Sequence, residues 1–393
     1  MAYKFIDGLC PTFAPMQLPN FLQLHWQLLA FIGFCMAAFI QLFYYLFFFS
    51  RLAFYRQQQK NISQTHAVSV IVCARDEAEQ LSKNLMGILI QEYTTTHEVI
   101  VVNDNSFDES KYILEAFKKQ FKQLQVVELT QEAKLIPGKK FPLSVGIKTA
   151  RHEIVLLTDA DCVPATAHWI KSMQNGYREN TEILLGYGAY QKRKGLLNKL
   201  IRWETYHTAL QYLSYALAGI PYMGVGRNLS YKKMVFFRHK GFSAHNKLPG
   251  GDDDLFVNAA ATKTNTGICI DQESFTISKP ATRWAQWMAQ KNRHYTTSKH
   301  YKNVHKFWLG MYAFTQFIFF PLLILAMVFY NWKMVLPILA FKLITQAFIH
   351  FKVLAKLGEK DLFIFSFFAD VWMFFYYLLF VKALFRKPQQ SWK

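Results

Sequence analysis

Two kinds of hydrophobic pattern alternate along the chain. Residues 28–49 and 307–330 contain no charged residue, and each run exceeds the ~20 residues a helix needs to cross hydrocarbon. Two further runs, 334–351 and 362–381, are broken only by Lys342 and Asp370. From 61 to 306 the pattern changes: "VSVIVCARDEAEQL", "HEVIVVNDNSFDES" and "HEIVLLTDADCVP" each set a short apolar run before polar residues. Runs that are apolar on both faces predict central strands of a mostly parallel sheet with helical crossovers, the α/β class. The expected organisation is an N-terminal segment 1–60 anchored at about 28–49, a soluble domain 61–306, and a membrane region 307–393. That last region would hold two or three membrane helices, at about 307–330, 334–351 and 362–381.

Composition agrees with a membrane protein. A chain that is 52% hydrophobic and only 18% charged is too apolar for an ordinary soluble protein. The first run is longer than the ~7–15-residue core of a signal peptide, and no small-x-small site follows, so a retained anchor is expected. Cys10, Cys35, Cys73, Cys162 and Cys269 are an odd set without close pairing, which argues against a disulfide framework or a zinc site. The net charge of +19 has much of its excess beside the apolar runs, at Arg51, Arg56, Lys60, Lys299, Lys302 and Lys306. That placement points to a membrane surface rather than nucleic acid, and to a central domain facing the cytoplasm from an inner membrane. Four full spans would leave Lys382, Arg386 and Lys387 on the other side, against the same rule. Lys342 and Asp370 would fall at one depth on antiparallel spans, where a lone charge costs a few kcal/mol, so a pair is expected.

The predicted strands end at Asp76, Asp104 and Asp159/Asp161, and ligands of doubly wound sheets bind beyond that edge. Two carboxylates one residue apart either hold a divalent cation or include a helix cap. No dinucleotide or P-loop fingerprint occurs in this region. "IPGKKFPLSVGIKTA" places Lys139 before a helix, where it either meets a phosphate or is solvated. "GGDDDLFV" puts Asp252, Asp253 and Asp254 after two glycines. In "RWAQWMAQKNRHY" helical spacing sets Gln286, Gln290 and Arg293 on one face and Trp284, Met288 and Tyr295 on the other. Such a helix suits a membrane interface.

In this order the motifs resemble a membrane-bound family 2 glycosyltransferase of the inverting GT-A type. The resemblance implies that Asp104 (in "VVNDNS"), Asp76, Lys139, Asp159, Gln290 and Arg293 contact the nucleotide-sugar, with Gly146 near the donor. It further implies that Asp159 and Asp161 ("DAD") bind Mg²⁺ or Mn²⁺ and that Asp252 or Asp253 is the catalytic base. "QKNRH" matches Q-x-x-R-W except at His294. Asp76, Ser144 and Gly251 are departures from the family pattern. The expected reaction is metal-dependent hexosyl transfer from a nucleotide-diphosphate donor, a UDP-sugar foremost, to a lipid or lipid-linked hydroxyl. The alternatives are a processive polysaccharide synthase, a nucleotidyltransferase, and a non-catalytic nucleotide-sugar-binding scaffold.

Overall fold

The β-branched runs form strands where the sequence pattern puts them. Residues 20–57, 66–130 and 138–381 are described by a computed structural model; Cys10, Lys60, Lys382, Arg386, Lys387 and the side chain of His294 lie outside the described residues. Helix α1 (Asn20–Phe43) continues through a π-helical turn (Tyr44–Phe49) into α2 (Ser50–Phe54). Then come β1 (Val68–Ala74), α3 (Ala78–Leu89), β2 (His97–Asp104), α4 (Ser110–Gln120), β3 (Leu124–Leu129), α5 (Lys140–Thr149) and β4 (Ile154–Asp159). β1 pairs in parallel with β2 and β4, and β2 with β3. Every residue of β1 is buried, as a strand covered on both faces requires. Its polar Ser69 is satisfied by donating to Glu98 Oε1 at 2.7 Å.

Beyond β4 the sheet keeps to the mostly parallel expectation except for one reversed strand. β5 (Cys162–Pro164), α6 (Trp169–Asn175), β6 (Ile183–Leu185), β7 (Gly188–Tyr190), α7 (Leu196–Leu217) and β8 (Leu229–Lys232) follow. They lead into α8 (Lys233–Arg238), α9 (Asp254–Ala260), β9 (Thr266–Ile268) and β10 (Thr276–Ser278). The seven-stranded sheet has the order β3-β2-β1-β4-β8-β6-β9, and β5-β10-β7 form a second, small sheet. β8 runs antiparallel to both β4 and β6. Strands of three or four residues are too short to show a period, so only long-range pairing defines them.

Four more helices complete the described chain: α10 (Trp284–Ser298), α11 (Asn303–Ala326), α12 (Trp332–Lys356) and α13 (Phe365–Val381). Trp26–Phe54 and Asn303–Lys356 are long and apolar enough to cross a membrane, and Phe365–Phe380 is a shorter apolar helix. The second of these is a hairpin rather than one rod. Asn331 leaves helical geometry (φ −145°, ψ 99°), and its side chain accepts from the Lys333 N–H. At the far end Trp26 meets Phe329 and Phe31 stacks on Tyr330. At the near end Tyr44 Oη donates to the Trp308 carbonyl at 2.6 Å, and Tyr45 Oη lies 3.3 Å from His350 Nε2. So α11 leaves the soluble domain and α12 returns to it.

Helix α7 joins the two halves. Most of its residues are buried, because the sheet covers one side and the helical bundle the other. Tyr206 Oη lies 2.7 Å from His350 Nδ1 of α12, and Tyr215 stacks on Phe48. A single hydrophobic core therefore runs from Ile71 and Val102 through Leu210 to Val353 and Leu354. Outward from the bundle face Leu29, Phe39, Phe314, Ile324, Phe341 and Ile344, all exposed.

Lys342 and Asp370 do pair: Lys342 Nζ lies 2.8 Å from Asp370 Oδ2, and Gln316 Nε2 donates to Asp370 Oδ1 at 2.6 Å. Stripping one partner from a buried pair costs about 3–5 kcal/mol, whereas replacing both with apolar groups is often neutral. Lys342→Leu and Asp370→Leu should each destabilise by that amount in detergent thermal unfolding. The double replacement should recover most of the loss, and purely additive losses would contradict the pairing.

Candidate active site

The parallel strands deliver their carboxylates to one edge. Asp104 is the last residue of β2 and fully buried. Asp159 ends β4, and ligand atoms of Asp159, Asp161 and Cys162 lie within 4.8 Å of one another. Lys139, just before α5, forms an ion pair with Asp159. Burial alone would raise the Asp159 carboxyl, but Lys139, then Arg227 and Arg293, outweigh it and hold it below its ordinary value. For Asp161 burial prevails, reinforced by the Asp159 charge, and its carboxyl is pushed up. The Cys73 thiol is pushed up to about 12, chiefly by burial; the Lys139 charge opposes the rise, and Asp159, Asp252 and Asp104 add to it.

The loop before β8 adds a cation, held against the small second sheet. The Arg227 guanidinium sits 4.4 Å from the centre of the Tyr190 ring, and its Nη1 donates to Ser278 Oγ at 3.3 Å. Burial works against its charge, but Tyr190, Cys162, Asp161 and Asp159 more than offset that. Gln290 Nε2 of α10 donates to the Tyr190 hydroxyl at 3.2 Å, so this ring links α10 to the aspartate pair. Cys162 is a poor match for a hard cation. Its thiol is buried beside Ser278 Oγ at 2.9 Å, and burial raises it well above the ordinary range. Two carboxylates, one of them pushed toward protonation by the other, are the donor set that a divalent cation would relieve.

The three consecutive aspartates separate by their hydrogen bonds. Asp253 caps α9: it accepts from the backbone N–H of Gly226 and of Asp254, both at 2.7 Å. Burial, then Asp252 and Asp254, push its carboxyl up to about 8. Asp254 is buried and accepts from Tyr301 Oη at 2.8 Å and from Thr297 Oγ1. Asp252 is half-buried, and among the described residues no group hydrogen-bonds or ion-pairs with its carboxylate. Beneath this loop Lys140, fully buried, donates to the carbonyls of His245 and Leu248 at 2.8 and 2.6 Å. Burial pulls its ammonium down to about 8 against the three aspartates. Gly138 (φ +76°) lies so close that a Cβ there would sit 2.0 Å from the Pro249 carbonyl oxygen.

Asp104, Lys139, Asp159, Asp161, Asp252, Gln290 and Arg293 thus converge. Asp76 stands at the rim, exposed and left-handed (φ +51°), accepting from the Phe107 N–H at 2.8 Å. Gly146 serves packing instead: a Cβ there would meet Ile71 at 2.6 Å, so glycine lets α5 approach the sheet. The α10 faces also need correction. Gln286 is exposed, and the fully buried residue is Trp287, whose ring neighbours include Tyr376 and Phe380 of α13. Lys291 of α10 forms a buried ion pair with Glu204 of α7. Arg227, Tyr190 and Lys140 escaped the sequence reading. Each is a lone residue without repeat or spacing, and only the fold brings it to the site.

Comparison with known proteins agrees with this geometry. Residues 69–237 match the family described as Glycosyl transferase family 2. A poly-beta-1,6-N-acetyl-D-glucosamine synthase of Staphylococcus epidermidis is 32% identical over 124 residues, 30% of this chain and 28% of that protein. A beta-monoglucosyldiacylglycerol synthase of Nostoc sp. is 29% identical over 145 residues, 36% of this chain and 29% of that protein. The matches thus span less than a third of these relatives' own lengths. Among solved structures, the mannosyltransferase PcManGT from Pyrobaculum calidifontis, in complex with GDP-Man and Mn²⁺, aligns over 88% of this chain and 99% of its own. Its TM-score is 0.55 at 17% identity, which shows a shared fold. Residues 69–237 therefore resemble a glycosyl transferase family 2 domain, and the fold is a GT-A-like mixed sheet, which together support a glycosyltransferase.

Proposed function

We propose that the protein transfers a hexosyl group, with inversion, from a nucleoside diphosphate sugar to the hydroxyl of a lipid or lipid-linked acceptor. The observation that carries this reading is the meeting of the Asp159–Asp161 pair, Lys139 and Arg227 with an unbonded Asp252 beside an apolar helical bundle. Asp159 and Asp161 would hold Mg²⁺ or Mn²⁺, and that ion, when bound, offsets charge on the diphosphate. Lys139, Arg227 and Arg293 share that load as the leaving group gains charge. Asp104 and Asp76 flank the nucleotide. The donor of the solved mannosyltransferase is GDP-Man, so guanosine stands beside uridine as a candidate base.

Asp252 is the base that removes the acceptor proton. Asp253 and Asp254 already spend their oxygens on backbone and side-chain donors, which suits them to hold the loop rather than to exchange protons. Lys140 and the left-handed Gly138 fix this loop from below. A misplacement of 1 Å in such a constellation can cost about 10²-fold in rate.

The membrane assignment rests on the outward apolar faces of α1, α11 and α12, a continuous surface that water would not tolerate. Arg51, Arg56, Lys302, Lys306, Lys352 and Lys356 lie toward the domain end of these helices, whereas Lys333 lies at the far end; this supports a cytoplasmic domain. The glycolipid synthase relative favours a lipid acceptor, and the polysaccharide synthase relative a second reading, processive elongation. Against a polymer channel, the space between α1, α11 and α12 is filled by Phe34, Ala37, Phe319 and Val335.

Asp252→Asn should retain donor binding and lose transfer by ~10²–10⁴, the usual worth of a general base. Nucleoside diphosphate release in the presence of acceptor lipids is the readout, and the same profile from Asp253→Asn alone would reassign the base. Chelation should abolish turnover and Mn²⁺ or Mg²⁺ restore it, with Asp161→Asn insensitive to the added ion; full activity in chelator would exclude the cation. Lys140→Met should lower kcat by about 10–10² while leaving the donor KM near its original value. An equal rise in donor KM would instead place Lys140 in donor binding.

A further inference from the structure

We infer that α13 does not cross the membrane but lies along the catalytic domain, immersed in the hydrocarbon of the leaflet on the domain's side. This rests on the membrane reading above and concerns the one apolar run whose course the sequence leaves open. Anchors at both ends hold α13 against the domain. At its start, the loop from α12 is held by Arg202 of α7, which ion-pairs with Glu359 and with Asp361. Helix α13 itself packs against α7. Beside that, Tyr295 Oη of α10 donates to Tyr376 Oη at 3.0 Å, and Phe380 stacks on Tyr295. The start of the α13 segment is thus held by α7 and its end by α10. A helix leaving the domain would keep contact at one end only.

Contacts with the hairpin say the same. Phe363 lies against Phe351, near the domain end of α12, while Phe374 stacks on Phe317 of α11. Tyr376 and Phe380 then meet Trp287 of α10. Helix α13 has two distinct faces. Its inner face is Ser366, Ala369, Asp370, Met373, Tyr376 and Phe380, all buried. Its outer face is Ile364, Phe368, Val371, Phe375 and Leu379, all exposed and all apolar. An in-plane helix at headgroup level shows polar residues outward. An outer face without any fits only hydrocarbon, continuous with the exposed faces of α11 and α12.

The Lys342–Asp370 pair belongs to a stretch where α13 runs antiparallel to α12, residues 363 and 370 meeting residues 351 and 342. Asp370 sits midway along α13, beneath the lysine that α12 brings down. The arrangement also defines where the acceptor comes from. Phe380 touches one side of α10 and Tyr190 of the site touches Gln290 on the same helix, so the lipid edge and the donor pocket are one helix apart, about 10 Å. A lipid whose head bears the accepting hydroxyl reaches Asp252 from that leaflet without a channel.

The test is topological and uses the full chain in sealed vesicles of both orientations. An epitope in the 327–331 turn should be accessible from the side opposite the catalytic domain. Tryptic release of the segment after Arg386, followed by mass spectrometry of the unmodified protein, should occur only in the vesicles that expose the domain. Release from the opposite side would overturn the proposal while leaving the membrane reading intact. Extraction of the protein by alkaline carbonate would overturn both. As a second measure, Tyr376→Phe with Phe380→Ala should raise the KM for a lipid acceptor several-fold without changing the donor KM; a change in neither would overturn the α13 route.

Discussion

Crowding of negative charge at one edge of the sheet is the constraint that shapes everything around it. Asp104, Asp159, Asp161, Asp253 and Asp254 are brought together with Asp252 in a partly dry region. Two like charges 4 Å apart at an effective dielectric of 20 repel by about 4 kcal/mol, comparable to the stability of a whole domain. The fold answers with three cations from three places. Lys139 meets Asp159, Lys140 passes under the aspartate loop, and Arg227 acts on Asp161 from the loop before β8. Consecutive lysines pointing to opposite sides of one turn make the two halves of the site a single electrostatic unit.

The parts of this arrangement that were legible in the sequence are those encoded locally. Fully apolar strands announce themselves by composition, so β1, β2 and β4 and the carboxylates at their ends could be placed. A charge inside a long apolar run is costly enough to require a partner, and Lys342 and Asp370 found each other for that reason. Long-range geometry was not legible. β8 is antiparallel because β4 and β6 flank it, which nothing in "NLSYK" reveals. Arg227 is one arginine among many until Tyr190 and Ser278 surround it.

The helix α10 shows how a correct periodicity can still misassign a face. Its spacing separates polar from apolar residues, but which apolar residue is inside depends on α13, nearly a hundred residues on. Trp287 is buried because Tyr376 and Phe380 lie over it. Likewise "DDD" offers three equivalent carboxylates, and only their hydrogen bonds distinguish a helix cap, a buried acceptor and a free group.

The core that runs unbroken from the sheet through α7 into the bundle sets the order in which the molecule can be completed. Helix α1 is synthesised first, yet the partners of Tyr44 and Tyr45, namely Trp308, Tyr312 and His350, emerge more than 250 residues later. Until then its inner face has no protein to meet, and α7 has only half of its covering. Domains usually fold as units in order of synthesis. Here α7 gains its second covering only when α11, α12 and α13, made after the sheet, pack onto it.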